Sequence, residues 1–217
     1  MQIKEQLDHL DRTLLATVLT QFPEPLSAPE KAQVHAYLVL SHAVLEEYLE
    51  STFERHFDRL CGWFISGLVP LECVRLAFAV GQEISRDEAV YRIRSTPELI
   101  RSRGRMELSR RLDGNHGLKS SNVQSMAKFV GVHWPDLENE LNAELNDLDT
   151  LGAKRGAASH LSPYTAKATN IANSDGPDDV RKWVHDGWQA VQSIAEYLDH
   201  VVSAQQPPSL IADWDGN

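Results

Sequence analysis

The chain has 217 residues, 42% hydrophobic and 24% charged, with a formal net charge of -10. It can bury a core as one domain, and its acidity argues against a protein coated in nucleic acid. No apolar run approaches the roughly 20 residues of a membrane span. The first residues lack the apolar core of a signal peptide. Cys61 and Cys73 lack the spacing of a zinc site or a disulfide framework. The expectation is a cytoplasmic protein with idle thiols.

The pattern is helical almost throughout, which predicts an all-α fold. Ile3, Leu7, Leu10, Leu14, Leu15 and Val18 recur at helix spacing and predict an N-terminal helix over 2–21, stopped by Pro23 and Pro25. Ser27 with Glu30 reads as a capping box. It opens a long second helix to about Leu60, whose apolar stripe runs from Val34 through Tyr37, Leu38, Leu45 and Leu49 to Phe53. Gly62, Gly67 and Pro70 predict a turn over 61–70. Short helices are expected over 71–80, 86–94, 97–112 and 121–130, with a turn at Asp113-Gly114-Asn115 and a stop at Gly131. Pro135 opens a further helix, in which Leu137, Leu141, Leu145, Leu148 and Leu151 keep one phase through Arg155 until Pro163. Residues 164–177 read as a loop, Asp178 or Asp179 starts the last helix, and 205–217 reads as a tail. The domain reading is one helical domain over 1–204, with its core at about 27–204.

Two features bear on chemistry. Arg92, Arg94, Arg101, Arg103, Arg105, Arg110, Arg111 and Lys119 form a basic segment in an acidic protein. It is either a phosphate-contacting surface or a solvated face paired with acids elsewhere. Of these, Arg101, Arg103, Arg105, Arg110 and Arg111 are the RNA-contact candidates. The second feature is Arg155-Gly-Ala-Ala-Ser-His160 at the end of the leucine-spaced helix. Arginine supplies a fixed charge that binds phosphate in a bidentate way. Histidine exchanges protons near neutral pH. The same spacing occurs at Arg111–His116, but Asp113-Gly114-Asn115 puts a turn between those two side chains. On an ideal helix five residues rotate about 140° and rise about 7.5 Å. Arg155 and His160 therefore converge only if the helix loosens or if two copies meet about a two-fold axis.

Arg155 and His160 sit at the anchor positions of a signature that resembles the HEPN family, whose motif is Arg, a polar residue, three variable residues and His on a late helix. Gly156 stands where that family usually has Asn, Asp or His. His35-Ala-Tyr-Leu-Val-Leu-Ser-His-Ala-Val-Leu-Glu-Glu-Tyr-Leu-Glu50 looks like the long early helix of the RiboL-PSP-HEPN, or MAE-type, branch. Asn115–Gly131, the leucine helix and Arg-x4-His follow in that branch's order over roughly residues 30–200. The resemblance implies a HEPN-like helical bundle and a homodimer with a composite site. It also implies metal-independent RNA cleavage of a defence or toxin–antitoxin type, leaving 2′,3′-cyclic phosphate and 5′-OH ends.

In that reading Arg155 and His160 are catalytic, Glu46, Glu47, Glu50 or Ser159 supports them, and no cofactor or metal is used. An antitoxin or defence partner is implied, and no membrane. The alternatives are a non-cleaving HEPN domain that binds RNA, nucleotide or a partner, and a purely structural dimerisation module. Asp136, Glu138, Glu140 and Glu144 read as an acidic helix face. His35 and His42 read as core or interface residues, and Trp134, Trp183 and Trp188 as packing residues.

Overall fold

The computed structural model describes residues 3–19, 26–82, 96–159 and 176–204, all helices and short connections, with no strand among them. The chain is all-α. In order come α1 (Ile3–Leu10), a π-type turn (Asp11–Leu15), α2 (Ala16–Leu19), α3 (Ala28–Ile65), α4 (Leu71–Gly81) and α5 (Thr96–Asp113). They are followed by α6 (Ser120–Phe129), α7 (Trp134–Glu140), α8 (Asn142–Ser159) and α9 (Pro177–Ala204). The short helix expected over 86–94 and the tail lie outside the described residues.

Two compact units emerge from the contacts. The first comprises Met1–Ser51, His116–Val123 and Glu138–Ser193, and the second Thr52–Asn115, Gln124–Leu137 and Ile194–Asn217. The long helices α3 and α9 each contribute one part to each unit.

The second helix begins where the capping box places it. The backbone N–H and hydroxyl of Ser27 both donate to Glu30 Oε2 at 2.6 Å. These bonds hold the Glu30 carboxyl below its usual range. The stripe on α3 is buried at Val34, Tyr37, Leu38, Leu45, Leu49 and Phe53, and continues to Phe57 and Leu60.

The helix takes up the first half of the span expected as a turn, 61–70, and the turn follows Ile65. Gly62 costs a helix only about 1 kcal/mol, and Cys61 is buried on the same stripe. The stop comes at Gly67, with φ +83°, where Leu68 N–H donates to the Trp63 carbonyl at 2.9 Å. Gly131 ends α6 in the same way, with φ +84° and Val132 N–H on the Ala127 carbonyl at 2.9 Å.

The helix expected from Pro135 onward is two helices that break at Leu141. Leu141, Leu145, Leu148 and Leu151 all remain buried. The apolar phase survives an interrupted hydrogen-bond ladder, and periodicity reports only the phase.

Candidate active site

Helix α8 presents Arg155 on the first unit. Its buried residues Leu145, Leu148, Leu151 and Ala158 anchor it. Arg155, one turn after Leu151, is half-buried. Two glycines allow close packing around this helix. A Cβ on Gly187 of α9 would fall 2.5 Å from Leu151 Cδ2 and 3.4 Å from Leu45 Cδ1. A Cβ on Gly152 would fall 2.9 Å from Lys119 Cγ, so the stem of that lysine lies across α8. Beside it, the Asp149 carboxylate accepts from both the backbone N–H and the hydroxyl of Ser120 at 2.8 Å, which caps α6. Lys154 lies 4.3 Å from the centre of the Trp183 ring. These contacts fix the face of α8 that carries Arg155. Nothing lies within 4 Å of a Cβ on Gly156.

Ser159 is the last residue of α8. Its side chain, and all of His160, lie outside the described residues. Of the three candidate glutamates on α3, Glu47 is exposed while Glu46 and Glu50 are half-buried. Glu46 has a specific partner that the sequence reading passed over. Its Oε2 lies 3.5 Å from Nδ1 of His42, whose side chain is 1% exposed. Gly117 covers the ring, since a Cβ there would lie 4.0 Å from His42 Cε1 and Nε2. With φ +150° this position favours glycine. Asn122 Nδ2 holds the turn by donating to the Gly117 carbonyl at 2.9 Å. The His42–Glu46 pair has the i, i+4 spacing of helix-surface partners, and that spacing was the available signal. His42 as a core residue fits the sequence expectation, and His35 is half-buried, with burial lowering its pKa.

The basic segment lies largely on α5, in the second unit, where acids neutralise much of it. Arg105 pairs with Asp58, lies 3.8 Å from Glu54 and stacks 5.3 Å from the Phe57 ring centre. Arg110 donates from Nε and Nη2 to Glu107 at 2.7 and 2.6 Å. Arg111 Nε meets the same carboxylate at 2.8 Å and sits 4.8 Å from the Phe129 ring centre. Glu107 is buried, and its bonds from Arg110 hold its carboxyl below the usual range. Arg103 contacts Met106 Sδ at 3.9 Å, and Arg101 is exposed. Arg92 and Arg94 lie outside the described residues. The acids of α7 and α8 stay dispersed, with Asp136, Glu138 and Glu140 exposed and Asp136 paired to His133 at 2.8 Å.

No helix among the described residues is long and apolar enough to cross a membrane. No protein-family model matches the chain, and no curated protein or solved structure is detectably similar to it.

Proposed function

We propose that this chain is a metal-independent endoribonuclease of the HEPN type, acting in a defence or toxin–antitoxin setting. The observation that carries the reading is Arg155 at the end of one continuous buried-leucine helix, followed by small residues and His160. RNA brings its own nucleophile, the 2′-OH. Cleavage then requires removal of that proton, protonation of the 5′-leaving oxygen and neutralisation of the crowded phosphate. In this reading His160 transfers protons and Arg155 stabilises the phosphate charge. A homodimer brings two such segments together and leaves 2′,3′-cyclic phosphate ends. Glu46, Glu47, Glu50 and Ser159 are the supporting candidates, and Arg101 is an exposed arginine of α5 offered to the RNA backbone. The partners are RNA, a second copy and an antitoxin or defence protein, in the cytoplasm.

Gly156 and the net charge of -10 favour a second reading, a HEPN domain that binds RNA, nucleotide or a partner without cutting. Incubation with labelled RNA in EDTA separates the two. The nuclease reading predicts cleavage that Arg155→Ala and His160→Ala each abolish. Binding without cleavage, unaffected by His160→Ala, selects the second.

A further inference from the structure

The first unit carries a cleft of about 400 Å³, lined by α1, the π-type turn, α3 and α9. That volume lies within the range of small-molecule sites. Its apolar surface comes from Leu7, Tyr37, Val184 and Trp188. Trp188, which reads from the sequence as a packing residue, is only half-buried here, with Tyr48 tilted against it at 5.5 Å between ring centres. Tyr37 is buried, and burial first, then the Asp11 charge, pushes its phenol up to about 12. It therefore stays protonated at any physiological pH.

Charge in the cleft is balanced: Lys4, Arg181 and Lys182 face Asp8, Asp11 and Asp178. Much of it is already committed. Lys4 meets Asp8 at 3.0 Å and Lys182 meets Asp186 at 2.5 Å. Arg181 gives Nη2 to Asp11 Oδ1 at 2.6 Å and has no other hydrogen-bond partner among the described residues. Its side chain is 43% exposed. A phosphate or other anion meets no net positive charge here, because Lys4, Lys182 and Arg181 are each already paired with a carboxylate. A purely apolar ligand would leave the Asp11–Arg181 pair desolvated without compensation. The ligand that suits the cleft is neutral and planar, stacks on Trp188, and presents an acceptor to the remaining Arg181 N–H groups beside a donor to the Asp11 carboxylate.

We propose that this cleft binds a nucleobase. The Watson–Crick edge of each base carries an acceptor next to a donor, and every base has a face to stack. The choice of a nucleobase over other neutral heteroaromatic rings rests on the ribonuclease reading. The site gives that reading a base-recognition pocket whose lining does not include Arg155.

The test titrates the full-length protein with adenosine, guanosine, cytidine and uridine in turn, following tryptophan fluorescence and heat. Saturable quenching by at least one nucleoside is expected, with no competition from inorganic phosphate. Trp188→Leu removes the quenching. Arg181→Gln and Asp11→Asn each weaken binding about tenfold, the scale of one lost hydrogen bond to a charged group. Arg155→Ala binds nucleoside as wild type does, so an inactive nuclease site leaves this result intact. Three results overturn the proposal: no saturable binding at millimolar nucleoside, binding unchanged in both Arg181→Gln and Asp11→Asn, or displacement by phosphate. RNA cleavage without nucleoside binding overturns the cleft alone and leaves the nuclease reading standing.

Discussion

His42 and His56 are carried by one helix, α3, and both are buried, yet each belongs to a different compact unit and meets different neighbours. His42 has the Glu46 carboxylate at 3.5 Å from Nδ1. His56 is pushed down to about 4, first by burial and then by the Arg59 charge, against the pull of the Leu198 and Val130 carbonyls and Asp199. The contrast extends beyond the histidines. In the first unit, carboxylates sit on inward or cleft-lining partners: Glu46 on His42, Asp149 on Ser120 and Asp11 on Arg181. In the second unit, Glu54, Asp58 and Glu107 are spent on the arginines of α5. The lesson is that a run of arginines is a poor guide to chemistry when the fold supplies the counter-charges. The first unit has oriented polar pairs and a cleft. The second has a largely neutralised basic helix and an apolar groove of about 380 Å³ lined by Phe64, Val69, Val74 and Phe78.

The largest effect expected from this difference is at two glycines, one in each unit, where a Cβ would clash. In the second unit, Gly131 has φ +84° and a Cβ there would fall 2.3 Å from the Glu72 carbonyl oxygen, which is backbone and cannot move aside. Gly131→Ala should cost roughly 4 kcal/mol in urea unfolding, combining positive-φ strain with a backbone clash. In the first unit, Gly187→Ala meets the side-chain tip of Leu151 rather than backbone, and should cost about half as much. Equal costs would erase the distinction.

The next effect is the pH response of His56. The fold favours the neutral ring, so the unfolded chain binds the extra proton. Stability is therefore complete above the ordinary value of 6.5 and declines as pH falls from 6.5 towards 4. The loss from this group is about 3 kcal/mol over that window. His56→Gln should flatten the unfolding profile across it, and a profile parallel to that of wild type would contradict the assignment.

The smallest effect is at Gly156, where a Cβ has open space. Gly156→Asn should fold normally and gain a few tenths of a kcal/mol in thermal unfolding, because asparagine is the better helix former. RNA cleavage should persist. A destabilised Gly156→Asn would show that this face of α8 is covered.

Much of the fold was legible because burial on one side of a helix leaves a phase in the sequence. Leu137 to Leu151 kept that phase, and Ser27 with Glu30 marked the start of α3. The break at Leu141 was not legible, because buried leucines on both sides of it hold the same face. Nor was the extension of α3 through Cys61–Ile65, where local glycine signals were outweighed by burial of Leu60 and Cys61.

Arg155 lies on the helix that the leucine phase predicts, while His160 lies outside the described residues. The partners of Arg105 sit 47 positions away in sequence for Asp58, a separation that no local pattern encodes. The His42–Glu46 pair was readable from its spacing, but only the turn at Gly117 shows that it is covered.

The measurement that bears most directly on the account compares arginines from the two units in one assay. Labelled RNA is incubated in EDTA with wild type, Arg155→Ala, His160→Ala and Arg110→Ala, and the product ends are identified. The account predicts 2′,3′-cyclic phosphate ends from wild type, a loss of about a hundredfold or more in Arg155→Ala and His160→Ala, and a change of only a few-fold in Arg110→Ala. Undiminished cleavage by both Arg155→Ala and His160→Ala would contradict it.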